Sequence, residues 1–239
     1  LWVLGKPGGD VVFEFHPGRG KEHAQNLLGD FQGYLQRDGY GVYGSLARAD
    51  AGLISVGCWA HARRKFVEAL DEQNAETIYI VGELRKLYLL ERHAREEALS
   101  TEQRKVIRAE KALPIIAALR PRLEVLREKS LPQSPLGKAA RYALNEWAAL
   151  TRYLDDGRLE IDNNLTENAI RPSAVGKKNW LFIGHPDAGW RAAVIYTLIV
   201  SCRRRGIEPW EYLRDVLQRL PAMKQSEIAT LLPAHWKPT

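Results

Sequence analysis

The chain has 239 residues, 45% of them hydrophobic and 27% charged, with a formal net charge of +6 and a pI near 9.3. This is the balance of a soluble globular chain, either one large domain or a domain with a sizeable insertion, and the cationic excess fits a polyanionic partner as readily as it fits a mildly basic enzyme. Two distant cysteines, Cys58 and Cys202, exclude a disulfide scaffold, and no apolar run is long enough for a membrane helix.

In chain order, Leu1 to Leu4 is predicted as a strand, Lys6 to Asp10 as a turn rich in Pro and Gly, and Val11 to Phe15 as a second strand, so the three make a hairpin. After the loop His16 to Gly20, residues Ala24, Leu27, Leu28 and Phe31 share one face of a helix over Lys21 to Phe31. Gly33 to Gln36 is a third strand, broken by Asp38-Gly39, and Leu53 to Val56 a fourth. Trp59 to Leu70 is an amphipathic helix carrying Arg63, Arg64 and Lys65. This β-β-α-β-α-β-α rhythm predicts an α/β core.

The pattern then turns helical. Ile78, Val81, Leu84 and Tyr88 recur at helical spacing, as do Ile115, Ile116, Leu119, Leu123 and Leu126 after Pro114, and Leu136 to Leu154 is a further helix. A polar cluster, Asp162-Asn163-Asn164, opens another helix, which Pro172 is expected to interrupt or kink. A short apolar run, Trp180 to Ile183, follows. Ala188 to Arg205 is predicted as a buried helix with Trp190 in the core, as Trp180 would be, and Pro209 to Leu220 as the last helix. The expected divisions are 1–73 and 158–220 for two parts of an α/β core, 74–157 for an all-helical insertion, and 221–239 for a flexible tail.

Two carboxylates stand out. Asp38 ends a strand, where its side chain could reach a ligand at the sheet edge, although Asp-Gly is also a common turn. Glu167 falls in the first turn of a helix starting near Asn164, a place that also suits a capping Glu. Arg171, four residues on, with Lys177 and Lys178 beyond, sets cations beside that Glu, and a cap needs none of them. Such cations suit phosphate contacts.

The run Ile161 to Pro172 with Lys177 to Phe182, the segments Gly33 to Tyr40 and Gly57 to Phe66, and the stretches Leu136 to Trp147 and Asp155 to Leu159 together resemble the signature of the insertion-sequence 66 family of bacterial transposases. The resemblance implies an RNase H-like mixed sheet flanked by helices, interrupted by an all-helical insertion and followed by C-terminal helices. It implies an Asp-Asp-Glu triad holding two Mg²⁺ or Mn²⁺ ions, with Asp38 as the second acid and Glu167 as the third. It further implies cleavage and strand transfer of double-stranded DNA at insertion-sequence ends, in the bacterial cytoplasm at the nucleoid, by a homo-oligomer or with accessory proteins, and with no membrane partner. The family's first Asp lies in a strand upstream of Leu1, so a truncated catalytic region, inactive by itself, is expected; Leu1 also follows no initiator Met or basic leader. Asn168 stands where the family usually has Arg.

His61 with Arg64 is placed at the edge of such a site, against substrate or a carboxylate, with a structural histidine as the alternative. Cys58-x-x-His61 lacks the second pair of a zinc site, so Cys58 is read as a small buried residue. Arg203-Arg204-Arg205 could contact DNA or complement the C-terminal dipole of the preceding helix. Two rival functions remain: a non-catalytic DNA-binding or regulatory remnant, and a metal-independent hydrolase using Asp38 and Glu167 as an acid/base pair, which the basic surroundings disfavour.

Overall fold

The computed structural model describes the backbone of residues 1–39, 41–72, 74–180 and 184–238, with the side chains of these residues except Glu72, Lys177, Lys178 and Trp180. In chain order the elements are β1 (Trp2–Gly5), β2 (Val11–Glu14), α1 (Lys21–Leu28), β3 (Gly33–Gln36), α2 (Gly41–Ala49), β4 (Leu53–Val56) and α3 (Trp59–Glu68). Helices then dominate: α4 (Ala75–Glu96), α5 (Thr101–Ile107), α6 (Leu113–Lys129), α7 (Pro135–Asn145), α8 (Trp147–Thr151), α9 (Asn164–Trp180), α10 (Pro186–Arg204) and α11 (Pro209–Arg219). The α/β class and the expected strand–helix rhythm both hold through α3. Where one mixed sheet is expected, the strands pair as two two-stranded sheets, β1 with β2 antiparallel and β3 with β4 parallel.

The chain divides into two compact units, residues 1–27 with 164–239, and residues 28–163. The strands β3 and β4 fall in the same unit as the helical segment, where α8 packs on β4.

In the first unit, Pro7 and Gly8 form the hairpin turn. Gly8 has φ 69°, and Gly9 N–H donates to Lys6 O at 3.0 Å, a geometry that needs a residue without Cβ after the proline. Val11 and Phe13 point inward while Val12 is exposed, the period of a strand with one face covered. The cover is α10. Ala193 joins the core with Val11 and Phe13, and Thr197 Oγ1 and Ser201 Oγ accept from the N–H groups of Phe13 and Val11 at 2.9 and 3.3 Å. Four-residue spacing brings those hydroxyls to one helix face, where they satisfy strand donors that have no ladder partner.

Arg204 donates to Gly9 O and Leu165 O, and Arg205 grips Asp10 with two bonds of 2.7 and 2.8 Å. These two arginines pin the hairpin turn and the start of α9 instead of simply serving a helix dipole. Unlike the predicted buried helix, α10 leaves Trp190 56% exposed, with Val194 and Ile195 also exposed, so Trp190 is not a core residue. Pro172 does not break α9, which runs on to Trp180. The apolar run Trp180 to Ile183 lies outside the described residues beyond the Trp180 backbone. The segment after Pro221, read as loose, forms a 3₁₀ stretch over Gln225–Leu231, and Tyr212 Oη donates to Leu231 O at 2.8 Å.

In the second unit, the core gathers Trp59 and Phe66 of α3, Leu84 and Leu87 of α4, Leu119 and Leu123 of α6, and Ala139 and Ala143 of α7. The buried stripe of α4 is Thr77, Ile80, Leu84, Leu87, Glu91 and Ala94, with Val81 and Tyr88 partly buried against the same core, so of the predicted face only Ile78, 59% exposed, falls outside. The stripe includes a charge, because Glu91 belongs inside. Arg108, fully buried, donates to Glu91 at 2.7 and 2.8 Å, and to the carbonyls of Tyr153, Asp156 and Leu159 at 2.7, 3.0 and 2.8 Å. Its guanidinium also faces the Tyr153 ring at 4.9 Å. Arg108 opens a π-helical turn, Arg108–Ala112, between α5 and α6. Pro114 has no N–H for the Glu110 carbonyl, and a widened turn relieves that clash.

Removing one partner of this pair strands the other charge in the core. Arg108→Ala is expected to cost about 3–5 kcal/mol in urea unfolding, whereas Glu91→Leu with Arg108→Met costs far less. Burial raises the Glu91 carboxyl, and Arg108 and Arg104 more than offset that, holding it below its usual 4.5. A depressed folded pKa gives stability that is complete above the unfolded value and lost as pH falls through the folded one. The urea midpoint should therefore decline below pH ~4.5, and less steeply in Glu91→Gln.

Candidate functional site

Asp38 sits two residues past the end of β3, half-buried, and the residues around this strand end come from three other elements of its unit. Arg37 N–H extends the parallel ladder by donating to Val56 O at 3.0 Å. The Arg37 side chain turns inward, donating to Ser55 Oγ at 2.7 Å, Glu146 Oε2 at 2.8 Å and the Asp38 carbonyl at 2.9 Å. A buried, paired guanidinium of this kind holds the end of β3 rigidly at the junction of α7 and α8. Gln36 does the same one residue earlier, donating to Glu160 O at 2.6 Å.

Gly39 follows because α7 comes so close: a Cβ there would meet the Tyr142 ring at 2.6 Å and its hydroxyl at 2.7 Å. Burial, together with the charges of Glu146, Cys58 and Asp38, pushes the Tyr142 phenol up to about 12, so it is a neutral hydrogen-bonding group at ordinary pH. Lys65 of α3 stands over the same ring at 5.0 Å. Arg37 and Tyr142 thus flank the Asp38–Gly39 segment, with Lys65 over the Tyr142 ring, and sequence reading singled out none of the three. Their sequence separation from Asp38 hides Tyr142 and Lys65, and only the adjacency of Arg37 could have flagged it.

Cys58 precedes α3 and is 1% exposed, as expected of a small buried residue. Burial pushes its thiol up to about 11. His61 Nδ1 lies 3.1 Å from Cys58 Sγ, which gives the histidine a local partner within its own helix turn. Arg64 is exposed on the same helix. Among the described residues, no group of three or more His, Cys, Asp or Glu side chains is arranged to hold a metal ion.

Glu167 lies in the first turn of α9, half-buried, where the polar cluster before it predicted. An anionic side chain there is favoured by the helix dipole. Arg171 is exposed one turn on; Lys177 and Lys178 lie on the same helix, but their side chains fall outside the described residues. Asp38 and Glu167 belong to different units, and each is described within its own. As oxygen donors both suit a hard cation such as Mg²⁺, which one or two carboxylates and substrate phosphates commonly hold. No helix among the described residues is long and apolar enough to cross a membrane.

Asp38 just past a strand and Glu167 in the first turn of a helix are thus two candidate carboxylates, each placed within its own unit. The family model described as "Transposase IS66 family" matches residues 1–191, and the one described as "IS66 C-terminal element" matches residues 197–234. The chain belongs to the IS66 transposase family. Uncharacterized protein y4jD of Sinorhizobium fredii is 36% identical over 95% of this chain and 46% of its own length. Proteins y4qI and y4hP of the same organism are 36% and 33% identical, over 95% and 90% of this chain and 43% and 42% of theirs. The chain thus spans less than half the length of the curated relatives it matches. No solved structure matches it.

The raised Cys58 thiol sets a direct check. In native protein at mildly alkaline pH it should label with a thiol reagent at least about 100-fold more slowly than in urea, since only the thiolate reacts and access is closed. Fast labelling of the native fold would contradict its placement.

Proposed function

We propose that this chain is catalytic-core sequence of a DNA transposase, cutting and joining DNA strands at insertion-sequence ends with Asp38 and Glu167 as metal-holding carboxylates on an RNase H-like scaffold. The single observation that carries the reading is the match to the transposase family across residues 1–191, which takes in both acids. The local setting supports the roles. Arg37 and Gln36 hold the strand end that presents Asp38, and the start of α9 presents Glu167. Mg²⁺ or Mn²⁺, when bound, would supply Lewis-acid stabilisation of the charge that develops on the reacting phosphate.

The chain's own residues do the rest. Asp38 and Glu167 furnish oxygen ligands of fixed direction. Arg171, Lys177 and Lys178 along α9, with Arg64 and His61 on α3, would meet the phosphate backbone, where cations give affinity and register without reading bases. Double-stranded DNA is therefore the substrate, and insertion-sequence ends the sites of action.

The test uses the full-length protein, a duplex carrying the insertion-sequence end, and Mg²⁺. Asp38→Asn and Glu167→Gln should each lower strand cleavage by more than about 100-fold while DNA affinity without divalent ion changes little. Full cleavage by Glu167→Gln would refute its role. DNA binding with no cleavage under any divalent ion would favour the regulatory reading.

A further inference from the structure

Helices α3 and α7 pack side by side and leave a groove of about 240 Å³ lined by Lys65, Glu68, Pro135 and Lys138. Neither lysine has a carboxylate partner among the described residues, whereas Arg37 is paired with Glu146 and Lys86 on α4 with Glu83. Lys65 is held in place: its ammonium stands over the Tyr142 ring, and that ring packs against Gly39, next to Asp38. Spacing puts the lining residues on common faces, Lys65 and Glu68 on α3, and Pro135, Lys138 and Tyr142 on α7. Contacts thus run from Gly39, the residue after Asp38, through Tyr142 to Lys65, which lines the groove together with Lys138.

We propose that this groove between α3 and α7 is a track for the phosphate backbone of the DNA strand, with Lys65 and Lys138 each contacting a phosphate and Tyr142 marking the end nearest Asp38. It rests on the reading of Asp38 as acting on DNA. It goes further by assigning a binding surface to the helical segment, whose charged residues otherwise read as solvated helix faces. A groove this small holds a strand's edge and not a base-paired duplex, so the contacts are to backbone. Two unpaired ammonium groups gain more from phosphates than from water, through release of the counterions the phosphates carry. Glu68 is the one carboxylate in the lining and opposes the anion, which supplies a test of opposite sign.

The experiment measures DNA binding by fluorescence anisotropy across a salt series without divalent ion, so its result is independent of whether cleavage occurs. Each neutralised phosphate contact adds about 0.9 to the slope of log affinity against log salt. Lys65→Gln with Lys138→Gln should therefore lower the slope by about 2 and weaken binding. Lys65→Arg with Lys138→Arg should restore both. Glu68→Gln should tighten binding. The comparison pair Arg127→Gln with Lys129→Gln, the same charge change at the end of α6, should leave the slope nearly unchanged. Circular dichroism confirms that each variant is folded. An unchanged slope in the Lys65/Lys138 variant would overturn the proposal, as would an equal loss in the α6 pair or no binding of DNA by the parent protein. Tighter binding of RNA of the same sequence, lost in the lysine variant, would assign the groove to RNA instead. Failure of strand cleavage with these slopes intact would count against the catalytic reading and not against the groove.

Discussion

The buried guanidinium of Arg108 is the constraint on which the larger unit depends. A charge taken fully out of water must find its hydrogen bonds inside, and this one finds five. Two go to Glu91 of α4 and three to backbone carbonyls between Tyr153 and Leu159, so α4, the π-turn and the segment after α8 become one piece. Arg104 joins by bonding both Glu91 and Glu160 at 3.1 Å. Glu160 O in turn accepts from Gln36, and Ile161 O from Trp59 N–H at 3.1 Å. A polar network in the helical core thereby fixes the end of β3, two residues before Asp38.

The smaller unit solves a related problem with hydroxyls. A two-stranded hairpin is marginal by itself, and the outer edge of β2 has donors with nowhere to go. Thr197 and Ser201 answer them from α10, while Val11, Phe13 and Ala193 exclude water around the pairs. Gly189 lets the Phe15 ring lie flat against the start of that helix, a contact any side chain would block. Arg205 then closes the turn through Asp10, whose carboxyl it holds below the usual range. The hairpin is thus stitched to a helix some 190 residues away in sequence.

These constraints also say which parts of the candidate site were legible. The settings of Asp38 and Glu167 were legible because local signals mark them: a strand ended by Asp-Gly, and a helix opened by Asp and Asn. Cys58 as a buried residue was legible from its lack of partners for metal. Tyr142, Lys65 and the ion pair of Arg37 with Glu146 were not, since 109 residues separate the last two. The same holds for Arg204 and Arg205, which look like a basic cluster and prove to be ties between elements. Glu91 looks like a charged residue on a solvated helix and lies at the centre of a core, because its partner is 17 residues on and behind a π-turn. Pro172 looks like a breaker, yet α9 continues through it.

By itself the sequence determined the hairpin, the strands β3 and β4, the helical period of the middle segment and the family, because each rests on residues near in sequence or on motifs in order. Turn chemistry, caps and apolar periodicity act over a few residues, and their free energies are local. Only the tertiary structure decided which strands pair, that α4 buries Glu91, what Arg37, Arg108, Arg204 and Arg205 hold, and which helices meet the Asp38–Gly39 segment. Those outcomes depend on desolvation and on charges meeting across long loops, and no short window of sequence contains both partners.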